Sequence, residues 1–444
     1  MIPRLISKQL QGWATSSNRK PLILRGARQI GKTTVIKEFG KEFDFFVYLN
    51  LEILADRKLF EQELPIDQLV QAILFYKNIS LSPQKSILIF IDEIQNSPPA
   101  VAIMRYFYEE YPNIHVIAAG SLLETLIDKH ISFPVGRVEY MYLYPLSFGE
   151  FLLAFNEKAA YEILQSGDVP EYAHDKLLEL FHLYAMIGGM PEVVASFVKN
   201  QDWVKLATIY ESLLTGYHDD VEKYAKNKAQ ANIIRQIIDK APLYAGSRIK
   251  FQNFGQTNFG SREVKEAMHV LEKTMLIKLV YPTTDTKPPF VSDGKKSPRL
   301  QFLDTGLVNF CVGLQKEFFA LKDLNNLYQG KITEHIVGQQ LLATHTVNQN
   351  QLMFWVREKP QSNSEIDYVI PHGTHLIPIE IKSGKTGTMR SLHSFIDFSE
   401  DNLFAIRLYS GKISRETIKS INGKSFKLLN LPYYLCGQLE RFII

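Results

Sequence analysis

The sequence predicts an α/β chain of several domains, opened by a parallel sheet that holds its ligand at the strand ends. Three observations predict it. Residues 21–34 read as strand, glycine-bounded loop and helix; residues 86–93 are an apolar strand that ends in two acids; and helical and strand patterns alternate around both.

In the first of these, the apolar run Pro21-Leu22-Ile23-Leu24 leads into Arg25-Gly26-Ala27-Arg28-Gln29-Ile30-Gly31-Lys32-Thr33-Thr34. Gly26 and Gly31 let the backbone turn tightly, so that successive N–H groups point inward, and the following helix adds its positive end. Lys32 supplies a mobile cation and Thr33 a hydroxyl for Mg²⁺. That is the composition of a phosphate-binding loop, with residues 26–34 as the cradle. A plain strand-to-helix turn would need the glycines but not the Lys-Thr pair.

Length and composition bound the rest. The 444 residues suffice for about two to four domains. With 45% hydrophobic and 22% charged residues the chain can bury real cores. Lys+Arg 50 against Asp+Glu 47 leaves +3, so no global field draws it to nucleic acid or to an anionic membrane. The two cysteines, Cys311 and Cys436, have no His or Cys at ligand spacing, which argues against a disulfide framework or a zinc site and fits a reducing cytoplasm. No run reaches the roughly 18 apolar residues of a membrane span, and the N-terminus has no signal-peptide core.

Taken in order, residues 1 to 18 predict a helix with Leu5, Ile6, Leu10 and Trp13 apolar, packed beside the nucleotide. Phe45–Leu51 is a second strand, followed by helical sequence to Asn78. The third strand, Ser86–Glu93, is apolar on both faces. Asp92, at its end, would reach the shell of a Mg²⁺ ion, and Glu93 would orient and deprotonate an attacking water. The fourth strand ends at Ser121, placed to sense a γ-phosphate or to cap the helix that follows. Arg137 lies on a surface loop. It reads either as an arginine finger for a neighbouring subunit, which requires a homo-oligomer, or as a solvated arginine.

The run Leu24–Thr33, with Ile91-Asp92-Glu93-Ile94-Gln95 and Ala119-Gly120-Ser121, resembles the prokaryotic AAA+-type ATPases that carry a C-terminal domain of unknown function. Tyr144–Phe151 and Gly188–Val194 extend the likeness to nearly the whole chain. The resemblance implies a P-loop NTPase core that uses ATP and Mg²⁺, with an uncharacterised output.

Residues 151–240 predict a helical lid, broken at Gly188-Gly189 by a hinge or a helix stop. Residues 241–325 have a winged-helix outline: a helix capped by Ser261, a strand at Leu276–Val280, a loop and a strand at Leu300–Phe302. Its helix is charge-balanced, whereas the wing carries Lys287, Lys295, Lys296 and Arg299. A protein-packing module and a DNA reader are both open.

Residues 326–444 contain a hairpin that turns near Gly373 and sets Asp367 opposite Glu380, with Glu380 and Lys382 on one face. Two carboxylates and a lysine around one point can hold Mg²⁺, and Glu334 on a nearby helix would be a third acid. The pattern Asp367, Glu380, Lys382 resembles the PD-(D/E)xK nucleases. This implies a restriction-endonuclease-like α/β domain that cleaves or only binds.

The expected fold is therefore an AAA+-like P-loop core at 1–150, followed by the lid, the winged-helix-like module and the nuclease-like domain. The expected function is an ATP-hydrolysing switch or motor with a nuclease-like output that acts on DNA. An ATP-controlled DNA endonuclease and an ATP-binding scaffold for a protein partner are the alternatives.

Overall fold

The computed structural model of the protein describes residues 2–62, 64–80, 85–120, 136–314, 331–344, 352–359, 362–382, 389–400 and 403–443. Its first unit is a parallel sheet of β1 (Leu22–Arg25), β2 (Phe45–Asn50), β3 (Ile87–Asp92), β4 (Ile114–Ala119) and β5 (Glu139–Tyr142), in the order β2-β3-β4-β1-β5. Period-two alternation divides each strand between two cores. Leu22, Leu24, Leu88, Phe90 and Ile117 face one layer; Ile23, Ile87, Ile89, Val116 and Ala118 face the other. Helices cover both faces, which is why these strands read as continuous apolar runs.

The helix Ile6–Thr15 buries Ile6, Leu10 and Trp13, as its 3.6-residue spacing requires. Helical sequence after β2 divides into Leu54–Glu61 and Ile66–Tyr76. Beyond β5, seven helices follow between Phe148 and Lys240. The first, Phe148–Ala154, begins with a capping box in which Ser147 and Glu150 satisfy each other's backbone. Phe148, Phe151, Phe181 and Tyr184 pack ring against ring, Phe148 with Phe181 and Phe151 with Tyr184 edge to face, and their core is continuous with one face of the sheet.

Gly188 ends the helix Glu171–Ile187 with a φ of 75°. A side chain there would lie 2.1 Å from Asp304, and one at Gly189 would lie 2.4 Å from the Leu146 carbonyl. The two glycines thus stop a helix and admit a close approach by two neighbouring segments.

In the next region the helix Ser261–Lys273 is capped at Gly260, one residue before the Ser261 cap expected from sequence. The Glu263 carboxylate accepts from the Gly260 N–H, which holds the first turn without a hydroxyl. β6 (Ile277–Val280) pairs antiparallel with β8 (Arg299–Phe302). Between them, β7 (Pro282–Thr283) leaves the pair and joins the C-terminal sheet. The basic residues assigned to an exposed wing are largely engaged there: Lys287 pairs with Glu400, Lys296 with Glu358, and Arg299 is buried against Glu365.

The C-terminal sheet has seven strands: β7, β9 (Met353–Lys359), β10 (Ser362–His372), β11 (His375–Ile381), β12 (Phe404–Tyr409), β13 (Ser414–Lys419) and β14 (Ser425–Pro432). Their order is β13-β14-β12-β11-β10-β9-β7. The β10–β11 hairpin turns at Gly373, with φ 57°, and pairs Tyr368 with Ile379.

A buried carboxylate joins these parts. Asp304 accepts from the Gly189 N–H at 2.6 Å, the Leu307 N–H at 3.2 Å and Gln339 Nε2 at 3.1 Å. Gln339 and Gln340, on the helix Lys331–Thr344, donate to the Tyr184 hydroxyl, which donates to the Leu146 carbonyl. An unpaired buried donor costs about 1–3 kcal/mol, so Asp304→Ala is expected to unfold several degrees below wild type in a thermal melt. An unchanged melting temperature would show that the junction does not depend on this carboxylate.

Candidate nucleotide site and a C-terminal carboxylate cluster

The loop between β1 and the helix Lys32–Phe39 is held by close contacts. A side chain at Gly26 would stand 2.5 Å from the Leu143 carbonyl, and Gly31 takes φ 91° as the helix N-cap. Lys32 is buried and donates to the Gly26 and Ala27 carbonyls at 2.9 and 2.8 Å. Burial pushes its ammonium down to about 8, against the upward pull of Glu93 and Asp92.

Parallel pairing of β2, β3, β4 and β1 brings the end of β3 to the loop. Thr33 donates from Oγ1 to Asp92 Oδ2 at 2.7 Å, and the Tyr48 hydroxyl donates to the same oxygen at 3.2 Å. Hydroxyl and carboxylate together are the hard oxygen donors that Mg²⁺ selects, so this pair fits the ion. Glu93 takes a left-handed backbone, φ 52°, and receives Gln95 Nε2 at 2.5 Å. Burial raises its carboxyl above the usual range, although Gln95 and Lys32 oppose the shift.

Lys32, Thr33, Thr34 and Glu93 line an open cleft of about 1000 Å³, together with Arg4 and Pro191. Arg4 donates to the Ile30 carbonyl of the loop at 2.9 Å and to the Tyr144 carbonyl at 2.6 Å, and it pairs with Glu150 at 2.9 Å. From the helical region, Asp220 pairs with Arg28 and the Tyr217 hydroxyl donates to the Arg28 carbonyl. Arg4, Tyr48, Gln95 and Asp220 escaped the sequence reading because no spacing signal links them to the loop. Only the Gln95 position, two residues beyond Glu93, stood in a motif.

Ser121 lies outside the described residues. Arg137 precedes β5, at the strand ends opposite the phosphate loop, and pairs with Glu109 at 2.8 Å. It cannot reach the nucleotide site of its own chain.

Glu334, Asp367, Glu380 and Lys382 do come together in the C-terminal domain, but around an arginine. Arg299 lies 2.5 Å from Glu365, 3.4 Å from Glu334 and 3.7 Å from Asp367. Lys382 is 2.5 Å from Glu380, and Asp367 Oδ2 accepts from the Ile381 N–H at 2.7 Å. Among the described residues no three acids, histidines or cysteines are placed to hold a metal. A guanidinium that sequence spacing had put on the wing stands among the acids expected to hold a metal there, Glu334, Asp367 and Glu380.

A protein-family model described as an AAA domain matches residues 18–152. Over that stretch the chain is similar to AAA domains. Two further models, both described as domains of unknown function (DUF8612 and DUF4143), match residues 178–317 and 329–434. No curated protein matches the chain. Among solved structures it is similar to the Walker-type ATPase of Pyrococcus abyssi, at 16% identity over 70% of this chain and 96% of that one, with a TM-score of 0.45. No helix among the described residues is long and apolar enough to cross a membrane.

The buried lysine of the loop sets a pH dependence. Without nucleotide, Lys32 is charged below pH 8 and loses its charge as pH rises through that value. Affinity for a non-hydrolysable ATP analogue is expected to fall above pH 8, by up to about tenfold per pH unit. Calorimetry at pH 7 and 9 checks this, with Lys32→Arg as the control that keeps its charge and a flat profile.

Proposed function

We propose that the chain binds ATP with Mg²⁺ and hydrolyses it as a switch, with the nuclease-like C-terminal domain as its output. The observation that carries the reading is the 2.7 Å contact from Thr33 to Asp92, beside Glu93 and Lys32 in one cleft. A strand that merely ended in a solvated acidic turn would not bring its carboxylate onto the loop hydroxyl.

In this reading the N–H groups of residues 26–34 and the end of the following helix cradle the phosphates. Lys32 leaves the Gly26 and Ala27 carbonyls for the β- and γ-phosphate oxygens. Bound Mg²⁺, held by Thr33 and oriented by Asp92, would neutralise charge on those oxygens. Glu93 orients the attacking water and accepts its proton, a task that its raised affinity for protons suits. Ser121 is assigned to sense the γ-phosphate. Arg137, on the far side of the sheet from its own loop, acts as a finger toward a second copy of the chain.

The helical region turns the nucleotide state into movement of the C-terminal half. Its Asp220 holds Arg28 of the loop, and its Pro191 lines the cleft two residues after the Gly189 that Asp304 grips.

Lys32→Ala is expected to abolish nucleotide binding, whereas Glu93→Gln keeps binding and loses about 10²–10⁴ in turnover. Steady-state phosphate release and nucleotide titration on the two variants separate the roles. Wild-type turnover by Glu93→Gln would remove that residue from the mechanism. Arg137→Ala should lower turnover at unchanged ATP affinity, and full activity of a strictly monomeric wild-type chain would exclude a finger in trans.

A further inference from the structure

The carboxylate cluster of the C-terminal domain contains a cation supplied from another part of the chain. Arg299 is the first residue of β8, which pairs with β6 and not with the seven-stranded sheet. Its side chain is 4% exposed. One guanidinium nitrogen, Nη2, approaches Glu365 at 2.5 Å and Asp367 at 3.7 Å; the other, Nη1, approaches Glu334 at 3.4 Å and donates to the Asp367 carbonyl at 3.0 Å. The plane also lies near the rings of Phe354 and Tyr368, at 5.1 and 5.5 Å. A single side chain thus touches β9, β10 and the helix Lys331–Thr344.

A divalent ion needs oxygen ligands within about 2.0–2.6 Å. Here most of the oxygens that would serve it have other partners. Glu334, Glu365 and one Asp367 oxygen face the guanidinium, the other Asp367 oxygen holds the Ile381 N–H, and one Glu380 oxygen holds Lys382. The second Glu380 oxygen is buried without a protein partner among the described residues. Burial and the charge of Asp367 push the carboxyls of Glu380 and Glu334 up to about 7 and about 8, so protons supply the charge balance that Arg299, Lys382 and Arg248, which pairs with Glu365 at 3.4 Å, leave incomplete. Unlike those protons, the guanidinium charge does not come and go with pH.

We propose that Arg299 is the resident cation of this cluster: the acids form a socket that fastens residues 241–314 to the C-terminal domain, and they hold no divalent ion. On this assignment the domain keeps a nuclease-like arrangement of acids and lysine but does not cleave. The cluster is a joint. It stands independently of ATP hydrolysis at the P-loop.

Two measurements on the nucleotide-free full chain test it. Titration with Mn²⁺, followed by the loss of the free-ion resonance signal, is expected to give the same weak binding for wild type and for the double variant Asp367→Asn, Glu380→Gln. Thermal melts are expected to show Arg299→Met well below wild type, with part of the loss recovered when Glu365→Gln is added, because the second change removes an acid that has lost its closer cation and keeps only Arg248, at 3.4 Å. A Mn²⁺ site in wild type that the double variant lacks would overturn the proposal. So would strictly additive losses for Arg299→Met and Glu365→Gln. If Arg299→Met does not fold, the Mn²⁺ comparison still decides, since it leaves Arg299 in place.

Discussion

The buried carboxylate of Asp304 is the constraint on which the arrangement of the chain depends. A carboxylate out of water must be hydrogen-bonded, and this one takes its donors from three places: the Gly188-Gly189 break, the first turn of its own helix and Gln339. Burial still pushes it up to about 6, so its donors do not fully replace water. The two glycines are explained by it: side chains at those positions would occupy the space through which Asp304 and the Leu146 backbone approach. The helix that carries Gln339 and Gln340 also carries Glu334, so the same rigid element reaches from this junction into the carboxylate cluster.

In the cleft beside the loop the charged groups are held by partners from the chain itself. Lys32 is satisfied by the carbonyls of its own loop, and Glu93 is held by Gln95. Both charged groups have partners that phosphate or water can displace, which limits the cost of keeping them in a largely buried site, although Gln95 Oε1 is buried without one. Arg4 acts on the loop from outside it, fixing the Ile30 carbonyl to the capping box that starts the helical region. The loop is therefore braced on one side by Arg4 and Glu150 and on the other by Arg28 and Asp220.

The region between the ATPase domain and the C-terminal sheet belongs structurally to both. β6 and β8 form their own pair, yet β7 enters the seven-stranded sheet and Arg299 enters its acid cluster. Lysines of the intervening loop are turned toward Glu358 and Glu400. A basic stretch that in a free module could face nucleic acid is here partly consumed by acids of the neighbouring domain, which weakens its field at the surface.

Local sequence determined much of this protein by itself. Strand periodicity placed β1 to β4 of the first sheet to within a residue or two, whereas β5 was not read from the sequence. Gly26, Gly31, Lys32, Thr33 and the Asp92-Glu93 pair were legible because a phosphate cradle needs those residue types at fixed offsets along the chain. The β10–β11 hairpin was legible for a similar reason: the turn at Gly373 sets the register that pairs Tyr368 with Ile379, next to Asp367 and Glu380. Only the tertiary structure decided what stands between those acids. Arg299 is 68 residues from Asp367, and its charge reads in sequence as one more solvated cation on a loop. Arg4 to Glu150 and Gly189 to Asp304 span 146 and 115 residues. Long-range pairing of buried polar groups leaves no period in the sequence, because it depends on the geometry that the completed cores impose.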